Sequence, residues 1–409
     1  MFWFATGASS LGDQVREFAI PLIAISVLHA SAVELGVLGA VQWVPFLLLA
    51  LPLGVVIDRY RRRRMLIMSE LSRGAVAVGV LVAALAGWLS FPGLLLAVAL
   101  WGAFTVVFEV GYQSAIPSLV PASGLSSANA RIQSTFAAAE VSGPGIGGVL
   151  LQLVGAAATI AGSAATYLLS GVALLSMRGR EPRPAGERRR FLAELAEGAR
   201  HALRDPYLRA NVGFSALFNP FSQWTTLLLT LYAVRDLGLR PAQIGILFSA
   251  GAVGALIGAA SATPLARRVR LGPLMMGCTV VECVSLLLLA VPDPSWTAAM
   301  SVALLAGALL LIGAGAAMSG VQLVTIRQLR TPERMLGRVN ASTRTITYGM
   351  IPLGALLGGF FGEWLGARGG MLVGGLLSLG TVVWVWCSPL RRLEALPDAV
   401  EEPERTASR

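Results

Sequence analysis

Apolar residues run along this chain in long unbroken blocks, not in an alternating or heptad pattern. Leu35 to Ile57, Leu94 to Val110 and Trp296 to Ala317 hold almost no ionisable side chain. A helix needs roughly 20 predominantly apolar residues to cross the hydrocarbon of a bilayer. The pattern predicts spans at 2–28, 33–57, 65–87, 91–113, 132–153, 156–177, 210–233, 241–266, 273–292, 296–320, 339–362 and 369–389. In lipid only helices and closed barrels satisfy every backbone group, and these blocks lack the alternation of barrel strands. The expected fold class is an all-α membrane protein with twelve transmembrane helices in two six-helix bundles. The first block is apolar from Phe2 with no basic leader, so it reads as a span, not a removable signal.

Turns such as Trp88 to Ser90 and Asp293 to Ser295 join some spans, and arginine-rich segments join others. The longest polar stretch, Arg178 to Arg209, opens with the linker-like Arg180-Glu181-Pro182-Arg183-Pro184. Glu187 to Arg204 then reads as an amphipathic helix, with Phe191, Leu192, Leu195, Ala199 and Leu203 near one face, suited to the inner leaflet. The expected organisation is an N-terminal bundle over 1–177, a cytoplasmic linker over 178–206, a C-terminal bundle over 207–390 and a cytoplasmic tail over 391–409. The two bundles repeat: Asn129-Ala130 recurs as Asn340-Ala341, and Gly147-Gly148 as Gly358-Gly359, both 211 residues on. Two parallel repeats of six spans are a transporter plan that places substrate between the halves at mid-membrane.

Composition narrows the class. Hydrophobic residues make up 55% of the chain and charged residues 13%, about half the charge of a soluble domain, too little to cover a wetted surface. The net charge is +10, and all 32 basic residues are arginine. With the N-terminus in the cytoplasm, 26 of those arginines fall in cytoplasmic loops and the tail, and only Arg235, Arg240 and Arg368 fall outside. That bias predicts an inner-membrane protein with both termini cytoplasmic, and it accounts for the charge without nucleic acid. The cysteines (Cys278, Cys283, Cys387) and the histidines (His29, His201) make no metal-spaced cluster. The expectation is no metal, no cofactor and no enzyme activity.

Gly54-Val55-Val56-Ile57-Asp58-Arg59-Tyr60-Arg61-Arg62-Arg63, between the second and third blocks, resembles the signature loop of the major facilitator superfamily, with Arg61 where a glycine is usual. The glycine permits close helix approach, and the arginines suit anionic headgroups. Gly143-Pro144-Gly145-Ile146-Gly147-Gly148 is similar to the glycine–proline motif of that superfamily's antiporters, with Ala139 in place of the upstream glycine. Ser10-Leu11-Gly12-Asp13-Gln14, Pro332-Glu333 and Gly337-Arg338-Val339 resemble the subgroup of macrolide and enterobactin-type exporters. The resemblance implies alternating access to a central cavity lined by spans one, four, seven and ten, and export of an amphiphilic small molecule such as an antibiotic or siderophore by a monomer.

Ionisable side chains within spans cost about 2.5–3.5 kcal/mol on insertion scales, so they are candidates for function. Asp13, Arg16 and Glu17 lie on one face of the first span at spacings of three and four. Burial favours a protonated carboxyl and a neighbouring arginine an ionised one, which suits exchange of protons. The same residues suit a structural ion triad. Glu140, one turn before Pro144, is a further proton-coupling candidate that can pair with Arg344. Glu109 suits a solvated or arginine-paired role, Glu70 and Arg73 a mutual pair, and Glu282 a peripheral position. Candidate cavity residues are Trp101, Thr105, Asn219, Gln223, Trp224 and Gln322, of types that suit an amphiphilic solute or equally helix packing. A facilitator or importer, a non-transporting scaffold or sensor, and a membrane enzyme are the rival readings; the last would need a nucleophile, base or metal set.

Overall fold

The computed structural model describes residues 1–57, 62–119, 124–177 and 191–394. Asp58 and Arg59 of the signature loop lie outside these residues, as do the 178–190 linker and the tail from 395. Gly54 and Arg62 fall in helices, but their side-chain surroundings lie outside the described set. Every described element is helical. In order they are α1 (Phe2–Ser26), α2 (Ala32–Ile57), α3 (Arg62–Leu85), α4 (Phe91–Leu119), α5 (Leu125–Leu175), α6 (Phe191–Arg204), α7 (Pro206–Arg235), α8 (Pro241–Ala266), α9 (Leu271–Leu288), α10 (Ala298–Leu329), α11 (Leu336–Gly349) and α12 (Ile351–Cys387). Short 3-10 turns at Glu333–Met335 and Pro389–Arg392 flank the last two.

Eight of the described helical stretches are long and apolar enough to cross a membrane. α1 is as long, but Asp13, Arg16 and Glu17 sit in its middle. Two stretches turn back on themselves. The chain leaves helical geometry at Gly155 (φ 79°, ψ 179°) inside α5 and at Gly366 (φ 74°, ψ 163°) inside α12. Those dihedrals are open essentially to glycine alone. The two glycines are 211 residues apart, the offset of the sequence repeat.

Several helices outrun their apolar blocks. α10 continues to Leu329 and carries Arg327 within it, where the hydropathy pattern places a loop. α5 begins at Leu125 and α4 ends at Leu119. Polar ends continue a helix beyond the hydrocarbon because its backbone bonds are local, so hydropathy marks the membrane, not the helix. α7 starts where Asp205 Oδ1 accepts from the backbone N–H of Tyr207 and Leu208 (2.9 and 3.0 Å), with Pro206 at the first position.

The surface is inverted relative to a soluble protein. Trp88, Leu153 and Trp364 are more than 70% exposed, whereas Glu70, Arg73 and Glu282 have no exposure. Apolar side chains face outward where lipid would lie, and polar ones face helix partners. α1, α3 and α5 pack together, as do α2 and α4; α7 packs on α12, and α8 and α9 on α10. The two groups meet through α5 against α8 and α2 against α12.

That junction lies at one end of the molecule. A Cβ on Gly148 would fall 2.5 Å from the Pro241 carbonyl oxygen, and one on Gly359 would fall 2.7 Å from that of Ala32. Each glycine thus seats against the first turn of a helix in the opposite group. Arg235 Nη2 donates to the carbonyls of His29 (3.1 Å) and Ala30 (2.7 Å), and the Ala32 N–H donates to Glu363 Oε2 (3.1 Å). This end, with the 27–31 and 236–240 turns, is closed.

Candidate functional site

A cavity of about 270 Å³ opens between the two groups beneath the closed end. α1 contributes Gln14, Glu17 and Phe18, α2 Gln42 and Trp43, α5 Pro144, α7 Gln223, Thr226 and Thr230, and α8 Phe248. The wall mixes apolar rings with amides and hydroxyls, as an amphiphilic ligand requires. Its shape depends on small residues. Gly143 lets Gln14 press against α5, since a Cβ there would sit 2.3 Å from that of Gln14; Gly147 does the same for Phe18.

Behind α1 the charged residues form one network. Asp13 Oδ2 accepts from Arg73 Nη1 at 2.7 Å, and Asp13 Oδ1 accepts from the Tyr167 hydroxyl at 2.7 Å. Arg73 Nη2 also donates to Ser9 Oγ (2.8 Å) and to Glu70. Arg16 donates through Nε to the Tyr167 oxygen (3.2 Å), and its Nη2 lies 3.6 Å from both Asp13 and Glu17. Glu17, 42% exposed, reaches the cavity, where Gln42 donates to it at 3.2 Å. The Arg73 guanidinium lies over the rings of Phe108 (4.4 Å) and Tyr167 (4.9 Å), contacts that favour a desolvated cation. The network runs from the dry Glu70 to the wet Glu17. It holds three carboxylates and two guanidiniums, hence one net negative charge when all are ionised.

The predicted residues are distributed unevenly. Asp13, Arg16 and Glu17 do lie together. Glu70 and Arg73 bond to each other but belong to the same network. Gln223 and Pro144 line the cavity, and Asn219 stands half-buried one turn from Gln223. Three cavity candidates are instead packing residues. Trp101 is buried, donates to the Arg73 carbonyl at 3.1 Å and lies under Arg16. Trp224 is buried and stacked on Phe361 at 5.0 Å. Gln322 is buried and donates to the Ala262 carbonyl at 3.1 Å, tying α10 to α8. Thr105 Oγ1 is shielded from water.

Glu140 is exposed, not buried, and no ion pair joins it to Arg344 among the described residues. Glu282 is fully buried, not peripheral, and accepts from Ser319 at 3.1 Å. Arg63 donates to the Leu174 and Leu175 carbonyls (3.0 and 2.7 Å), capping the end of α5. Tyr167 and Gln42 were not foreseen. A lone tyrosine among the small residues of its block was the only trace that Tyr167 left in the sequence.

The family model described as transmembrane secretion effector matches residues 1–406. The chain belongs to that family of the major facilitator superfamily. The enterobactin exporter EntS of Escherichia coli O1:K1 is 32% identical over 363 residues, covering 87% of this chain and 82% of the relative. EntS of Salmonella choleraesuis is 30% identical, covering 84% and 81%. Among solved structures, the nucleoside transporter NupG matches with TM-score 0.73 at 12% identity over 94% of this chain and 97% of that one. A bacterial homologue of the lysosomal transporter Spinster, inward-facing and unoccupied, matches with TM-score 0.69 at 14% identity over 94% and 93%. This secretion effector is therefore a multi-pass membrane transporter with the major facilitator fold, and not an enzyme.

Proposed function

We propose that this transporter exports an amphiphilic small molecule from the cytoplasm in exchange for protons. It does so as a monomer of twelve spans, in six-span halves over 1–177 and 207–390 joined by the 178–206 linker. The turns at Gly155 and Gly366 support the count. The arginine bias supports cytoplasmic termini and sets the closed end outside the cell, so the cavity opens inward. Rocking of the halves, which parts this junction and closes the inner end, then exposes it to the other side.

The continuity between Asp13 and the cavity carries the proton reading. Glu17 meets cavity water, and Arg16 stands equidistant from Glu17 and Asp13. A proton arriving at Glu17 frees Arg16 to turn to Asp13, which shares Arg73 with Glu70. One proton neutralises the network, so protonation changes the charge held at the face where α1 meets the cavity. A cycle that couples protons to alternation needs such a change.

The test is transport by the full chain in proteoliposomes with an imposed pH gradient, with enterobactin, the cargo in the relatives' name, as first substrate. Asp13→Asn and Glu17→Gln should abolish the response to the gradient while cargo binding persists. Full proton-driven export by both variants would eliminate the proposal.

A further inference from the structure

Beyond the cavity lining, next to its Trp43, α10 and α11 carry two arginines to which the proton reading gives no task. Arg344, exposed on α11, lies within electrostatic reach of Arg327 on α10 and of Glu109 and Tyr112 on α4. Tyr348, one turn on from Arg344, meets Trp43 of α2 across the two halves, so this part of α11 borders the gap between them. Among the described residues neither arginine forms an ion pair. Arg327 Nε is shielded from water and has no hydrogen-bond partner. Glu109 offsets part of this charge without forming an ion pair, and two neighbouring cations, one partly desolvated, favour a further anion.

Aromatic rings lie beside them. Arg344 stands 5.5 Å from the Tyr348 ring, Tyr348 stands 5.7 Å from Trp43, and Trp43 lines the cavity. Trp43 and Tyr348 thus lead from the cavity wall to Arg344. A planar guanidinium fork suits a carboxylate or other oxyanion, and the rings suit a flat apolar body.

We propose that Arg327, Arg344, Tyr348 and Trp43 form a subsite for the acidic group and adjoining ring of an aromatic anion, which makes the cargo of this transporter anionic. The inference rests on the export reading and refines it. Glu17, Glu109 and Glu140 all lie on the first half, and Glu109, within electrostatic reach of Arg344, forms no ion pair with it. Protons and cargo thus occupy opposite walls, and conformational change links them.

Three probes of equal aromatic body test this: 2-naphthoate, 2-naphthol and 2-naphthylmethylammonium, titrated calorimetrically into the purified full chain. Naphthoate should bind at least tenfold more tightly than the other two. Arg327→Gln and Arg344→Gln should each remove that preference while leaving the affinity for naphthol unchanged. Arg270→Gln, which alters an exposed arginine paired with Glu394, should leave the preference intact and so exclude a general charge effect.

Equal affinity for all three probes overturns the proposal. So does a preference that survives both arginine variants. Variants that change the rate of alternation but not the order of affinities would assign the arginines to gating instead, and also overturn it. Failure of the export reading looks different: proteoliposomes would show no gradient-driven flux while the binding preference and its arginine dependence remained.

Discussion

The closed end is held by charges from one half acting on helix termini of the other, and this gives a quantitative prediction. Arg235 donates to the carbonyls of His29 and Ala30, just beyond the C-terminal end of α1. Glu363 accepts from the Ala32 N–H at the N-terminus of α2. Each charge has the sign that the helix dipole favours at that terminus. Charge-assisted hydrogen bonds contribute about 1.5–3 kcal/mol when desolvated. Both side chains are exposed, so about 1 kcal/mol for each is the appropriate figure. Arg235→Ala with Glu363→Gln should therefore weaken the closed end by about 2 kcal/mol, roughly a thirtyfold change in the equilibrium. A closed state favoured about 20 to 1 would fall to near parity. Spin labels at Val33 and Asp236, in a background without the native cysteines, would report this by double electron–electron resonance. A longer-distance population should appear in the double variant. An unchanged distance distribution would refute the claim that these contacts hold the end shut.

Three further outcomes follow from the packing. Arg73→Met strands the buried Glu70 without its cation, which should cost about 3–5 kcal/mol and lower the melting temperature; adding Glu70→Gln should recover more than half of the loss. Gly148→Val puts a side chain against the Pro241 carbonyl, so the long distance in the spin-label experiment should gain population even with Arg235 and Glu363 intact. In the 289–297 turn, the Ser295 backbone N–H, then its side chain and Arg368, hold the Asp293 carboxyl below its ordinary range. A lowered value means that the contribution of Asp293 is present above its unfolded pKa of 3.8 and is lost as pH falls through the lower folded value. Melting temperatures of the protein and of Asp293→Asn should differ at pH 6, and the difference should shrink as the pH falls below 3.8.

What the sequence disclosed depended on the range of the interaction involved. Spacings of three and four placed Asp13, Arg16 and Glu17 on one face, because helix geometry fixes neighbours that close. The repeat at offset 211 is likewise readable, and it extends to Gly155 and Gly366, where the chain turns. Periodicity does not say which faces meet, so Arg73 and Tyr167, separated from Asp13 by 60 and 154 residues, could not be assigned to it. Trp101, Trp224 and Gln322 failed as cavity candidates for a related reason: an amphipathic ring or amide serves a cavity and a helix junction equally well, and only packing decides. Glu282 deceived in the opposite sense, because a lone carboxylate in an apolar block can face lipid headgroups or a neighbouring hydroxyl.

The repeat also has a mechanical consequence. Gly148 and Gly359, 211 residues apart, seat against the first turns of α8 and α2 in opposite halves, so both junctions lie at the same end and can part as one gate. The ionisable groups in and beside the cavity do not follow the repeat. The Asp13 network lies in the first half, whereas Arg327 and Arg344 lie in the second. On the proposed exchange, a symmetric frame with asymmetric charge would let one half answer to protons and the other to cargo, with the shared junction coupling both to the same motion.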